Sequence, residues 1–224
     1  MADLISLIFN ISWILLSAIT SVFSFILAKK FWKTKQRICF LLIAVSMLLD
    51  LIANFFWAGN FIVYGSEDLI PYPTFMDILW FTYYTLLGFG VLTYWVSIYR
   101  EIYENIPVFW IMMIIALSVA SCFFAPVFFG PSADMITQIA DSLYIGLPLF
   151  SSLNCIPLLL FFKEGRLSKP WLYMGIALTI NLAAEIVWII ESVNDFGSIS
   201  SNILYALGYI FMITSYWKLN KLNI

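Results

Sequence analysis

The chain has no histidine among its 224 residues, and only 11% of them are charged. Without an imidazole it lacks the most common metal ligand and the side chain most used as a general base near neutral pH. A Gly-rich phosphate loop, a His-Glu helix motif, a nucleophile elbow and paired Asp-rich diphosphate-binding clusters are also missing. These absences point away from catalysis, and neither a cofactor nor a metal is expected. Cysteine is scarce: Cys39, Cys122 and Cys155 all sit in or at the edge of apolar runs, where a thiol behaves as a small apolar group, so no disulfide framework follows. Basic residues are absent from every second loop.

What fills the chain is apolar: 63% of it is hydrophobic. That is more than one soluble core of this length can hide, so lipid must cover the rest. The apolar runs cover 4–28, 38–64, 78–98, 107–129, 139–162, 171–191 and 202–217. Most are near the ~20 residues a helix needs to cross a bilayer. They are continuous, whereas a membrane strand alternates polar and apolar residues, so the spacing predicts an all-α polytopic protein of seven transmembrane helices.

All eleven Lys and Arg residues fall in one set of loops: Lys29 to Arg37, Arg100, Lys163 to Lys169, and Lys218 with Lys221. The alternate loops carry only acids. The positive-inside rule puts the basic loops in the cytoplasm, the N-terminus outside and the C-terminus inside. The multi-pass protein is thus expected in a cell membrane, most simply a prokaryotic cytoplasmic one. The first run opens Met1-Ala2-Asp3 without a basic flank or a cleavage site, and so reads as a retained helix. No connection exceeds about a dozen residues, so residues 1–224 read as one seven-helix domain with no soluble domain. The net charge of −2 averages a basic face with an acidic one and is no guide to partners. The lipid bilayer is the expected surrounding, the five-cation loop at 29–37 suits anionic headgroups, and no nucleic acid is expected.

The second and sixth runs share a pattern, [DN]-L-x-A-[NE]-x-x-W, at Asp50 to Trp57 and at Asn181 to Trp188. The helices after them also correspond, Asp77, Trp80 and Tyr84 matching Asn202, Tyr205 and Tyr209, and Asp141-Ser142-Leu143-Tyr144 reads as a third copy. One leading helix plus three pseudo-repeated hairpins is therefore expected. Hairpins of one orientation are related by an axis along the membrane normal.

Asp50 falls about twelve residues into its run, roughly 18 Å deep at 1.5 Å per residue, and Glu185 is comparably deep. An ionised carboxylate there is costly unless paired, and no basic residue lies deep in any run. Each acid is therefore protonated, hydrogen-bonded, or matched to something outside this sequence. Asn54 lies one turn beyond Asp50 and Asn181 one turn before Glu185, and Trp57 and Trp188 continue those faces. Two readings stand side by side. One is a structural clamp, with Asp50 against Asn181 and Glu185 against Asn54. The other is a site for a proton, a cation or the polar end of a small ligand. Asn154, with Ser151 and Ser152 between Pro148 and Pro157, is a further candidate, because prolines free backbone carbonyls to line a cavity. Asp77 and Asp141 are expected to cap helices, with Thr74-x-x-Asp77 resembling a capping box. Tyr72, Trp95, Tyr99, Trp110, Trp171 and Trp217 are expected in interfacial belts.

The stretch Pro71-Tyr72-Pro73-Thr74-Phe75-Met76-Asp77-Ile78-Leu79-Trp80 resembles the outer loop and helix start, Pro-x-Pro-Ser-x-x-Asp-x-Leu-Tyr, of seven-helix input domains of prokaryotic diguanylate cyclases and histidine kinases. Asp141-Ser142-Leu143-Tyr144 is similar to their later copy of that signal, and Pro170-Trp171 to their Pro-Trp helix opening. The likeness spans roughly residues 38–217 and implies a sensory role. The chain departs from that pattern in having no output module, so the resemblance implies a partner that supplies one. A microbial-type retinal protein is excluded, because residues 202–217 contain no Schiff-base lysine.

The expectation is a stand-alone membrane sensory or ligand-binding protein. It responds to a small or lipophilic ligand and signals through a partner protein or a homo-oligomer. The alternatives are a small proton- or cation-coupled transporter or channel, and a structural subunit of a membrane complex. The residues assigned to ligand binding or ion coupling are Asp50, Asn54, Trp57, Asn181, Glu185, Trp188 and Asn154.

Overall fold

The computed structural model describes residues 2–65, 72–102, 108–129, 135–162, 165–193 and 199–222. Several sequence assignments lie outside them, among them Met1, Pro71, the cation Lys163 and the loop acids Glu67, Asp68, Asp134 and Asp195. Among the described residues the protein is all-α, with no strand. The helices are α1 (Ala2–Lys30), α2 (Arg37–Tyr64), α3 (Phe75–Ile102), α4 (Val108–Phe129), α5 (Met135–Leu153), α6 (Cys155–Phe161), α7 (Ser168–Val193) and α8 (Ile199–Lys221). α5 and α6 continue each other as one rod.

Five stretches are long and apolar enough to cross a membrane: Ile5–Lys30, Arg37–Tyr64, Phe75–Arg100, Met135–Phe161 and Ser168–Glu191. By the length and composition of these helices the chain is a multi-pass membrane protein. α8 falls short of that apolarity because Ser201, Asn202, Tyr209, Ser215 and Tyr216 turn inward and are buried.

The outer surface follows from the same logic. On α1, Ile8, Ile11, Leu15, Ile19, Val22 and Ile26 are exposed at three- and four-residue spacing, while Asn10, Ser17, Ser21 and Ser24 are buried. This is the pattern of a helix whose apolar stripe faces lipid and whose small polar stripe packs on its neighbours. Polar side chains on that face bond back to their own helix, as Ser24 Oγ does to Ser21 O at 2.7 Å. α2 ends at Gly65, whose φ of 79° is the left-handed cap glycine adopts without strain, and the Gly65 N–H donates to Phe61 O at 2.8 Å.

Each expected hairpin packs on itself: α2 on α3, α4 on α5, and α7 on α8. Around the bundle the order is α1, α2, α3, the α5–α6 rod, α7 and α8, which returns to α1. α4 lies outside this ring against α5 and touches α7. α2 and α7 do not pack on each other.

The ring interior divides into two halves. The half nearest the basic helix ends is filled by a continuous apolar core that includes Leu27, Phe40, Ile43, Met47, Leu87, Val91, Leu158, Met174, Leu178 and Met212. Trp95 and Trp171, expected at the interface, are fully buried in this plug, and the Tyr94 ring lies 4.5 Å from that of Trp171. An indole fills the space between converging helices better than any aliphatic chain. Trp110 and Trp217 do lie on the surface. The other half of the ring is not filled in this way, and it contains the candidate site.

Candidate functional site

A cavity of about 90 Å³ occupies the upper half, with the apolar plug below it. Each helix of the ring brings side chains to it at helical spacing. α2 contributes Asp50, Asn54 and Trp57; α7 contributes Asn181, Glu185 and Trp188. α3 adds Asp77, Trp80, Tyr83 and Tyr84; α8 adds Tyr205 and Tyr209; α1 and α5 add Trp13 and Tyr144. Tyr72 closes the wall from just before α3. Six of the seven residues assigned from the sequence therefore meet in one place.

Asn54 bonds Asp50 across one turn of α2, as the i, i+4 spacing suggests. The partners the carboxylates find on other helices are tyrosines of α3 and α8 rather than the amides of the opposite copy. Tyr209 of α8 donates to Asp50 Oδ2 at 2.6 Å. Asn54 Nδ2 completes a closed triangle, donating to Tyr209 Oη at 2.9 Å and to Asp50 Oδ1 at 3.2 Å. On the other side Tyr84 of α3 donates to Glu185 Oε1 at 2.6 Å, and Tyr205 of α8 lines the same cavity. Tyr84 and Tyr209 hold corresponding positions in the sequence repeat. Each crosses to the opposite copy, Tyr209 to Asn54 and Tyr84 to Glu185, which also correspond. A phenol suits this position because its ring packs with apolar neighbours while its hydroxyl reaches a buried acceptor.

Asp77 has two roles. Its Oδ2 accepts from the backbone N–H of Thr74 and, at 2.8 Å, from Thr74 Oγ1, as the capping-box spacing predicts. Its Oδ1 accepts from the Tyr144 hydroxyl in the cavity wall. Asp141, expected to begin a helix, instead lies in the second turn of α5, which starts at Met135. There it accepts from Tyr72 Oη at 2.7 Å. Burial and the Asp141 carboxylate push the Tyr72 phenol above its ordinary pKa, so it remains a donor.

Asn154 does not join the group. It is fully buried at the break between α5 and α6, within the plug. Its Oδ1 accepts from Trp95 Nε1 at 3.2 Å and its Nδ2 donates to Phe150 O at 2.9 Å. Pro157, three residues on, has no N–H to offer Leu153 O, which accounts for the break at this point. Ser151 and Ser152 fasten the rod to its neighbours, donating to Tyr84 O and Leu178 O, each at 2.9 Å.

The walls are steeply inclined rings. Trp57 lies 5.7 Å from Trp80 at 58°, Trp188 lies 5.5 Å from Tyr144 at 56°, and Trp188 lies 5.7 Å from Tyr72 at 68°. The indole N–H groups of Trp13 and Trp57 are buried in the wall and have no partner among the described residues. No Lys or Arg among the described residues lines the cavity. Among the described residues, no three His, Cys, Asp or Glu side chains approach closely enough to hold a metal ion.

The sequence reading missed Tyr83, Tyr84, Tyr205, Tyr209, Trp80 and Tyr144 as site residues. The signal available for all but Tyr83 was the repeat itself, which aligns Tyr84 with Tyr209 and Trp80 with Tyr205 and Tyr144. No protein-family model, curated protein or solved structure matches the chain.

Proposed function

We propose that the protein is a seven-span membrane receptor that binds a small ligand in this cavity and passes the resulting helix movement to a partner protein at its basic face. The observation that carries the reading is the division of the ring interior into a polar, aromatic cavity above and an apolar plug below. A binding pocket needs a concavity with a few placed polar groups, and the cavity has both. A pore needs a continuous polar path, and the plug interrupts it.

In this proposal all seven rods cross the bilayer, α4 and α8 included. The basic ends of α1, α3 and α8 face the cytoplasm, and the cavity opens toward the opposite side. In the arrangement of one leading helix and three pseudo-repeated hairpins, every rod but α4 borders the site, and the reciprocal Tyr84 and Tyr209 bonds are what a parallel repeat produces at its axis. A ligand that changes the spacing of α2, α3, α7 and α8 at the cavity shifts the plug beneath it, because a close-packed core does not deform continuously.

A second reading, a proton- or cation-coupled transporter, draws support from Asp50 and Glu185, two acids deep in the bundle that are bonded to phenols and have no basic partner. The two readings separate in one experiment. The protein is purified in mild detergent from its native membrane and examined by native mass spectrometry. Co-purification of a small molecule together with a signalling protein supports the receptor. A bare protein that carries coupled flux in proteoliposomes, with the flux lost in Asp50→Asn, overturns it in favour of transport.

A further inference from the structure

We infer that the cavity takes a small organic ammonium ion that carries an oxygen acceptor a short distance from its nitrogen. The inference rests on the ligand-binding reading and names the class of ligand.

The sign of the charge comes from the wall. Asp50, Asp77 and Glu185 line the cavity and no basic side chain does. The cations among the described residues lie at the ends of helices or in the loops between them, beyond the plug. An anion entering the cavity meets carboxylates and the electron-rich faces of rings. A cation meets attraction from both, and in surroundings of low polarity that attraction is far stronger than in water.

The chemistry of the cation comes from the rings. Four indoles and six phenols line the cavity. Pairs inclined at 56° to 68° form corners of a cage rather than a stack. Such corners attract weakly hydrated alkylated ammonium groups through the ring quadrupoles. A metal ion is held by several converging oxygen ligands. Among the described residues no three acidic, His or Cys side chains converge in that way, and Asp50 Oδ2 and Glu185 Oε1 each keep a phenol hydrogen bond at 2.6 Å. An alkylammonium needs only the field and the faces, and leaves them intact.

Size and the unpaired donors narrow the class further. The cavity volume of about 90 Å³ confines the ligand to a small one. The indole N–H groups of Trp13 and Trp57 only donate, so they match an oxygen on the ligand.

The test uses the full chain in mild detergent, with four probes titrated by isothermal calorimetry and by thermal melting. The probes are tetramethylammonium, choline, the neutral carbon analogue 3,3-dimethyl-1-butanol, and acetate. Both cations are expected to bind and to raise the melting temperature. Choline is expected to bind several-fold tighter than tetramethylammonium, with the neutral analogue roughly tenfold weaker than choline. Asp50→Asn and Glu185→Gln each weaken choline about tenfold. Trp57→Phe keeps a ring but removes one N–H. It weakens choline more than tetramethylammonium and so lowers the preference for choline, and it keeps the test open if the acid variants do not fold. A neutral analogue that binds as well as choline overturns the cationic class and leaves a ligand site. Failure of all four probes on a cooperatively melting protein overturns the inference, while the ligand reading stands or falls with the native mass spectrum.

Discussion

At the scale of single residues, the site depends on phenols that satisfy carboxylates which have no basic partner. Tyr209 joins Asp50 and Asn54 in one triangle, and Tyr84 serves Glu185. Replacing Tyr209 by Phe leaves a buried carboxyl with one donor fewer. It should lower unfolding stability in detergent by about 1–2 kcal/mol. An unchanged midpoint in a denaturant titration contradicts that role. The acids and amides were legible in the sequence because a carboxylate in an apolar run is an anomaly that demands an explanation. The tyrosines were not, because in a chain that is 19% aromatic each is equally at home in the core or at the lipid interface. Asn154 was misplaced for a related reason: a polar side chain in mid-helix announces that it needs partners, not which half of the bundle supplies them.

At the scale of elements, α8 shows how a helix with so many polar residues is held in place. Glu191 of α7 accepts from the N–H groups of Ser200 and Ser201 at 3.0 and 3.2 Å, and from Ser201 Oγ at 2.6 Å, at its first turn. At its last turn Lys30 Nζ donates to Leu219 O at 3.2 Å, to Asn220 O at 2.7 Å and to Leu222 O. An anion at the positive end and a cation at the negative end both stabilise the helix dipole. Lys30, part of the loop assigned to anionic lipid, is therefore tied into the protein itself. Lys30→Met retains much of the chain length but removes the donor. It should cost about 1 kcal/mol and speed amide exchange in the final turn of α8; exchange as slow as wild type contradicts the cap. Closer to the site, Gly208 of α8 sits against Asn181 and Ala177 O of α7, with no room for a Cβ. Gly208→Ala should displace the Asn181 side chain, lower stability by about 1–3 kcal/mol and weaken ligand binding. Wild-type melting and binding in this variant sink the close approach. Helix ends were read to within a few residues from apolar runs and flanking cations. The break at Asn154 and the early start of α5 were not, since both depend on backbone bonds rather than on hydropathy.

At the scale of the whole molecule, the plug and the cavity divide the bundle along its long axis, and this division was beyond the sequence. Each helix shows one apolar run, and only packing reveals that its basic half closes the ring while the other half leaves it open. The proposed orientation has its own test. In a background with Cys39, Cys122 and Cys155 changed to Ser, Lys35→Cys should react with a membrane-impermeant maleimide only after the cells are opened. Labelling of intact cells reverses the topology. The claim that the cavity is a binding site is read most directly by intrinsic fluorescence, because Trp13, Trp57, Trp80 and Trp188 all line it. Titration with tetramethylammonium is predicted to give a saturable change in tryptophan emission that is lost in the Asp50→Asn, Glu185→Gln double variant. A change that rises linearly without saturation, or that survives in the double variant, contradicts it.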